Sequence, residues 1–499
     1  MTSERRLPDK WFYIPIIIIG LYFIYRLVDY SNVMFTFPLD ASNDASSYMA
    51  QLFFLDKCGF HNFCPYWYNG FISFLHSPPG WYFFALPLLK LFENIQVAFF
   101  ISIVLSFLLA YIGIHYAGKL YSLSNTKKLA FFLLFFGNAI AIGNFLRLGR
   151  AHELFSWVAF IPFAFILIWF KDNKITYKLL VLSGVLFGIV LISYQSVAVL
   201  GALLILGLFL CVRRKEKLKV VLMGLISFIT ASFWLIPFMI ELKQSVIPSE
   251  SSFSEWLLNF SRDNLFTNIS SFAIPILIFI LFYFYLKTSY QTKKDLLFFG
   301  PMLITAFLFM TRLIIYVPVL NIVFPDPYLM FFIFIIAFLL ILISRNSFNK
   351  AIGRLVPIII IIACVLSVGI NVLHTSTFPE HNELNVQIIE LLPEVDGSLL
   401  FIGDFPSYAY PKAYYSYSAI FYEINSVDGW YPHVTTRKYL DSIKEANKFF
   451  NEKKCEELKD SLTDLNAGSL IAYGEGCEVL NECGFNESVK KQDTCLYVI

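Results

Sequence analysis

Long apolar runs separated by short polar turns fill this chain to about residue 372, after which hydrophobic and polar positions mix at ordinary spacing. The runs are roughly 16 to 22 residues long, at or near the ~20 residues a helix needs to cross a bilayer. They predict about eleven membrane-spanning helices, at 11–30, 96–117, 129–145, 154–170, 179–194, 196–212, 220–240, 271–286, 296–311, 329–344 and 355–372. The first run is too long for a cleavable signal, and no small-residue cleavage site follows it in SNVMFTF.

Charge in the turns predicts an orientation. Alternate turns gather the basic residues: Arg5, Arg6 and Lys10; Lys119, Lys127 and Lys128; Lys171, Lys174 and Lys178; Arg213 through Lys219; Lys287, Lys293 and Lys294; Arg345, Lys350 and Arg354. Basic turns stay on the cytoplasmic side, so the N-terminus is expected inside. An odd number of spans then puts the hydrophilic tail outside. Composition agrees, at 58% hydrophobic and 15% charged residues with mean hydropathy +0.66. The net charge of +2 carries no message, because opposed faces cancel. No basic patch interleaved with aromatics suggests a nucleic acid.

Two parts are expected, a helical membrane domain over 1–372 and an extracytoplasmic mixed α/β domain over 373–499. In the tail a helix ends near Pro393, a turn follows at Asp396-Gly397, and SLLFIG, SLIAYG and CLYVI read as strands. The charged, amphipathic RKYLDSIKEANKFFNEKKCEELKDSL reads as one helix. Gly474-Glu475-Gly476 reads as a simple turn, since no helical pattern follows it. The segment 241–270, amphipathic around Trp256, is expected to lie on the membrane surface.

Cysteines follow the same division. Cys211 and Cys364 fall inside spans. Cys58 and Cys64 share the first outer loop (31–95), and Cys455, Cys477, Cys483 and Cys495 lie in the tail. Even counts in two outward segments predict disulfides, with three connectivities open to the tail's four. No CxxC pair or suitably spaced histidine supports zinc instead. Sequons at Asn259, Asn268 and Asn486 all fall outside in this topology.

Candidate chemistry gathers at the outer ends of the spans. Asp40 and Asp44 follow the first span at i, i+4; they serve either as a metal-binding or basic pair or as caps of a helix starting near Ala45. The turn NFLRLGRAHELF carries Arg147, Arg150, His152 and Glu153. Two outward-facing arginines run against the basic bias, and a guanidinium fork suits phosphate. Arg312, at the outer end of the ninth span, needs an anionic partner, either Asp326 or a lipid phosphate. Trp67 and Trp81, near His61 and His76, fit an interfacial belt or a sugar-stacking surface equally well.

Four runs carry a resemblance: AxxYxxQLFFLDKCG led by Asp44, PYWYNG (65–70), SPPGWYFFALP (77–87) and GRAHELFSWVAFIPF (149–163). They resemble the GT-C superfamily of integral membrane glycosyltransferases, especially the 6-pyruvoyl-tetrahydropterin synthase-related membrane proteins. The resemblance implies a GT-C-like helical body and a polyprenyl-phosphate- or diphosphate-linked sugar donor. It implies Asp44, then Asp40, as base or metal ligand, and Arg150 and Glu153 as the second-loop motif. The residues themselves add the expectation of a divalent ion (Mg or Mn) held by Asp44 and Glu153, with Arg147, Arg150 and Arg312 on the donor phosphate. The partners are the bilayer, the lipid-linked donor, and a glycan, lipid or protein acceptor. Two features depart from the pattern: Tyr48 stands where histidine is frequent, and WWDxG is represented only by Asp428-Gly429-Trp430-Tyr431. The departures favour simpler sugar transfer over oligosaccharyl transfer to asparagine. A flippase of lipid-linked glycans is the alternative. It would place ionisable groups at mid-membrane and show repeats, and neither pattern is visible.

Overall fold

Over their described residues, the eleven apolar segments are helical. In a computed structural model, which describes residues 9–39, 44–241, 257–260, 265–287, 291–342, 356–374, 381–406 and 411–499, they form α1 (Tyr13–Phe35), α4 (Ile95–Ala117), α5 (Asn125–Phe136) with α6 (Ala139–Ile142), α7 (Ala151–Asp172), α8 (Tyr177–Ser193), α9 (Gln195–Cys211), α10 (Arg214–Glu241), α11 (Leu265–Leu286), α12 (Thr292–Met310), α13 (Pro325–Leu342) and α14 (Val356–His374). Between α1 and α4 lie α2 (Ala45–Lys57), a short hairpin of β1 (Phe63–Cys64) and β2 (Phe71–Ile72), and α3 (Gly80–Phe92). Among the described residues six helices are long and apolar enough to cross a bilayer, or seven if the bent pair α5–α6 counts as one. The 17-residue helices α8 and α9 reach only about 26 Å. The chain is a multi-pass membrane protein. Asp40 and the segment around Trp256 lie outside the described residues.

The bend between α5 and α6 has a local cause. Asn138 accepts hydrogen bonds from the Ile140 and Ala141 N–H groups, and its amide donates to the Leu134 and Phe135 carbonyls. One side chain thus closes one helix and opens the next, across a 58° turn. The chain then passes through a π-helical turn, Gly143–Arg147, into α7.

Helices α7 and α13 are the buried axis of the bundle. Phe131, Phe135, Trp157, Phe160, Phe165 and Phe334 interlock between them and α5, several edge to face. Such pairs add to simple area burial. Outer helices keep an apolar face outward: Ile17, Leu21, Ile24 and Val28 form an exposed stripe on α1, at the spacing of one helix face. Helices α8 and α10 meet at Gly184 and Gly188, where a methyl group would come within 2.7 Å of Ile226 and 2.6 Å of Thr230. This small-xxx-small contact lets the backbones approach.

The tail is a mixed α/β unit. Its sheet has the order β3-β4-β6-β5, with β3 (Leu399–Phe401) parallel to β4 (Ser469–Tyr473) and β6 (Thr494–Val498) antiparallel to both β4 and β5 (Glu487–Lys491). Helices α15 (Glu383–Leu391), α16 (Pro411–Tyr422), α17 (Arg437–Asn451), α18 (Cys455–Asp464) and α19 (Glu475–Glu482) complete it. Three sequence readings need correction. The long charged helix is two, broken at Glu452–Lys454, where Lys453 has a left-handed φ of 55°. Gly474 does precede a helix. Residues 487–491, not read as a strand, pair with β6. Disulfides join Cys58 with Cys64, Cys455 with Cys483, and Cys477 with Cys495.

The aromatic run PYWYNG is neither an open stacking surface nor a membrane belt; it is the joint between bundle and tail. Trp67 is fully buried and donates to the Tyr415 carbonyl, the Tyr68 hydroxyl donates to the Gly429 carbonyl (2.8 Å), and Asn69 and Ser426 bond backbone to backbone. A methyl group on Gly429 would strike Trp67 at 2.8 Å. Trp81 is buried too, its indole donating to Ser102. Tight aromatic packing takes these rings away from both lipid and sugar.

Candidate active site

The starts of three helices converge beside this joint. Asp44 immediately precedes α2, Glu153 lies in the first turn of α7, and Asp326 in the first turn of α13. Helix N-termini favour negative charge, which suits carboxylates at all three. Arg150, just ahead of α7, reaches all of them: Nε is 3.2 Å from Asp44 Oδ2, and Nη1 is 3.0 Å from Asp326 Oδ2 and 3.8 Å from Glu153 Oε2.

The backbone explains why Arg150 lands there. Gly149 adopts a left-handed φ of 68°, and a methyl group on it would come within 2.5 Å of the Ala45 side chain. Glycine at 149 therefore permits the turn and lets it press against the start of α2. Two backbone bonds fix the contact, Asp44 N–H to the Leu148 carbonyl (2.7 Å) and Arg150 N–H to the Asn144 carbonyl (3.1 Å). The Asp44 side chain makes no capping bond to α2. Asp44 thus stands at the N-cap position without capping the helix through its side chain.

The tail closes over this cluster. The Tyr431 hydroxyl shares a 2.9 Å hydrogen bond with Ser47 Oγ, which itself donates to the Asp44 carbonyl oxygen (2.6 Å). Burial and the nearby Asp44 charge push the Tyr431 phenol well up. Burial also raises the Asp44 carboxyl above the ordinary carboxylate range, against the pull of Arg150. His152 sits edge-on between Tyr48 and Tyr194, with ring centroids at 4.5 and 4.7 Å. Trp157 donates to Glu153, whose side chain is 0% exposed.

Arg312 is held elsewhere. It follows α12 with a left-handed φ of 66° and is 8% exposed. Its Nη2 donates to Asn268 (3.1 Å), and the rings of Phe272 and Phe260 lie 4.8 and 5.7 Å from its guanidinium carbon. Its Nε and Nη1 have no hydrogen-bond partner among the described residues. Asp326, expected as its counter-ion, pairs with Arg150 instead. Asn268 is buried in this contact, so its sequon is no surface acceptor. Arg147 ends the π-helical turn, half-buried, three residues before Arg150.

Both carboxylates expected to hold a divalent ion, Asp44 and Glu153, face the Arg150 guanidinium, and Asp326 faces it with them. Among the described residues no group of three or more His, Cys, Asp or Glu side chains is placed to hold a metal ion.

Neither a protein-family model nor a curated protein matches the chain in sequence. Solved structures do match in fold. The apo oligosaccharyltransferase of Archaeoglobus fulgidus superposes with a TM-score of 0.55 at 11% identity, over 93% of this chain and 69% of that one. Arabinofuranosyltransferase AftD from Mycobacteria gives a TM-score of 0.57 at 11% identity, over 100% of this chain and 40% of that one. The chain shares its overall fold with these two solved structures. At these identities the likeness speaks for the fold alone, and no family model stands behind either the GT-C superfamily or the narrower 6-pyruvoyl-tetrahydropterin synthase-related group. The Archaeoglobus enzyme in complex with zinc and sulfate superposes with a TM-score of 0.53 at 12% identity, over 92% of this chain and 68% of that one.

Sequence alone offers Asp326 as a partner of Arg312 rather than Arg150, and gives Tyr431 no role. Asp326 sits in Pro325-Asp326-Pro327 just before an apolar run, a helix-start signal that marks an acid at the positive end of α13. Tyr431 belongs to the Asp-Gly-Trp-Tyr run, visible in sequence but without a role until the tail is docked.

Proposed function

We propose that this protein is a membrane glycosyltransferase that moves a sugar from a polyprenyl-phosphate-linked donor to an acceptor hydroxyl at the outer membrane face. The eleven helical segments would all span, with the N-terminus inside and the tail outside. The observation that carries the reading is Asp44: a carboxylate held in orientation by Arg150, in a fold shared with those two solved structures, where bundle and tail meet. A positioned base must reach the proton it removes, and one fixed by a fork is already oriented.

In the proposed step Asp44 accepts the proton of the acceptor hydroxyl while its oxygen attacks the anomeric carbon. The bond from that carbon to the donor's phosphate oxygen breaks, inverting the centre, and the electron pair leaves with the lipid phosphate. Arg312 is the group best suited to receive that phosphate, because its buried charge meets a neutral amide and two rings. A cation in a dry setting stabilises charge developing on a leaving oxygen far more than it would in water. Arg147 lies on the same turn as Arg150 and adds positive charge near the site. Tyr431 and the tail would form the acceptor side.

The test is to incubate purified protein in lipid nanodiscs with labelled polyprenyl-phosphate sugars. Release of lipid phosphate with sugar transfer, abolished by Asp44→Asn, is expected. Passage of intact donor across proteoliposome membranes without cleavage would replace this reading with the flippase one.

A further inference from the structure

We infer that Arg150 is the resident cation of the site, filling the position a divalent ion would take among Asp44, Glu153 and Asp326, so that the site takes up no such ion while Arg150 is present. As a statement about transfer, this rests on the function proposed above; as a statement about cation binding, it stands alone.

Three observations lead there. First, the acids come from three helices far apart in sequence, yet all meet one guanidinium at 3.0 to 3.8 Å. A surface ion pair needs one partner; three carboxylates offer the oxygen donors a hard divalent cation takes, although around Arg150 they are not placed to hold one. Second, Arg150 is fixed rather than mobile. Its backbone is tied to Asn144, and the glycine before it abuts Ala45. The planar fork serves two aspartates at once through Nε and Nη1, which an ammonium cannot do with the same directionality. Third, three carboxylates share the one guanidinium. Glu153 is fully buried, and the side chains of Asp44 and Asp326 are only 28% and 26% exposed. Removing the guanidinium would leave three like charges close together in a partly dry pocket, where repulsion is strong. Such a set must either take up protons or recruit another cation.

Arg150 is therefore a positioning residue: it keeps Asp44 aimed at the acceptor side and its charge balanced, as a metal would. Its fork is already committed to carboxylates, so the donor phosphate falls to Arg312 rather than to Arg150.

The experiment compares full-length wild type with Arg150→Ala in nanodiscs, reading Mn²⁺ binding by loss of the free-ion spin-resonance signal. Wild type should bind no Mn²⁺ at the site, and EDTA should change its transfer rate by no more than about twofold. Arg150→Ala should bind one Mn²⁺ per chain, at least about a hundredfold more tightly than wild type. Adding Asp326→Asn to it should abolish that binding. If Arg150→Ala does not fold, Arg150→Gln removes the charge while keeping bulk and polarity, and should show the same gain. Wild type binding one Mn²⁺ in a manner lost in Asp44→Asn would overturn the inference. So would a folded charge-removed variant that gains no Mn²⁺. An absence of transfer in every condition would sink the proposed function, while the binding measurements would still decide the role of Arg150.

Discussion

Helix α7 buries a cation against carboxylates at each of its ends, and the two ends are built differently. At the C-terminal end Lys171 is 2% exposed and contacts Asp295, also 2% exposed, with Asp172 at 3.0 Å. The Tyr285 hydroxyl bonds to both Lys171 and Asp295, and the rings of Tyr285 and Phe299 cover the ammonium. That cluster is closed, joining α7, α11 and α12. At the other end Arg150, 17% exposed on its side chain, faces three acids and opens toward the tail. Buried charge alone therefore does not mark a site. The Lys171 end is closed and serves as a clamp; at the Arg150 end three carboxylates share one guanidinium, and two of them, Asp44 and Asp326, stay partly exposed.

The sharpest break of this comparison is at Asp44. Asp44→Asn should cost on the order of 10² to 10⁴ in transfer rate, measured as lipid-phosphate release, with the melting temperature unchanged or slightly raised. The sign follows from burial: the folded carboxyl has a raised pKa, so ionised Asp44 costs the fold stability at neutral pH. That cost vanishes below the unfolded value near ~3.9. The same shift makes transfer fall on acidification at a pH above the ordinary aspartate range, a limb that Asp44→Asn should lack.

The Lys171 end should respond in stability instead. Asp295→Asn leaves a buried ammonium with only the half-exposed Asp172 as carboxylate partner, at a cost of about 3 kcal/mol, read by thermal unfolding in detergent. Transfer per folded molecule should stay within about twofold of wild type, since no step of the proposed chemistry runs through that end. A drop as large as that of Asp44→Asn would erase the distinction.

Arg312→Ala should raise the donor KM by roughly 10- to 100-fold, the worth of one or two charged hydrogen bonds, with a smaller change in acceptor KM. An equal effect on both substrates would remove Arg312 from the donor side. The mildest probe is Gly149→Ala, which forces a left-handed φ and a clash with Ala45. It should cost about 1 to 3 kcal/mol of stability and pull Arg150 away from Asp44. Loss of transfer exceeding the loss of folded protein would support the positioning argument.

What the sequence determined by itself is what depends on local pattern. Apolar runs of helix length marked eleven helical segments, because each run must hide its backbone within itself. Asp44, Arg150, Glu153 and Arg312 stood out because ionisable groups at span ends are costly and few. Only the tertiary structure decided their partners. Asp326 lies 176 residues from Arg150, and nothing along the chain separates a pairing with Arg150 from one with Arg312. The same holds for Trp67, an aromatic at a membrane edge in sequence and a domain joint in space. Tyr431, too, reaches the Asp44 segment only because the tail docks on PYWYNG. Periodicity reports how a residue faces its own helix, whereas the balance of charge in a buried cluster depends on which helices meet, and their packing sets that.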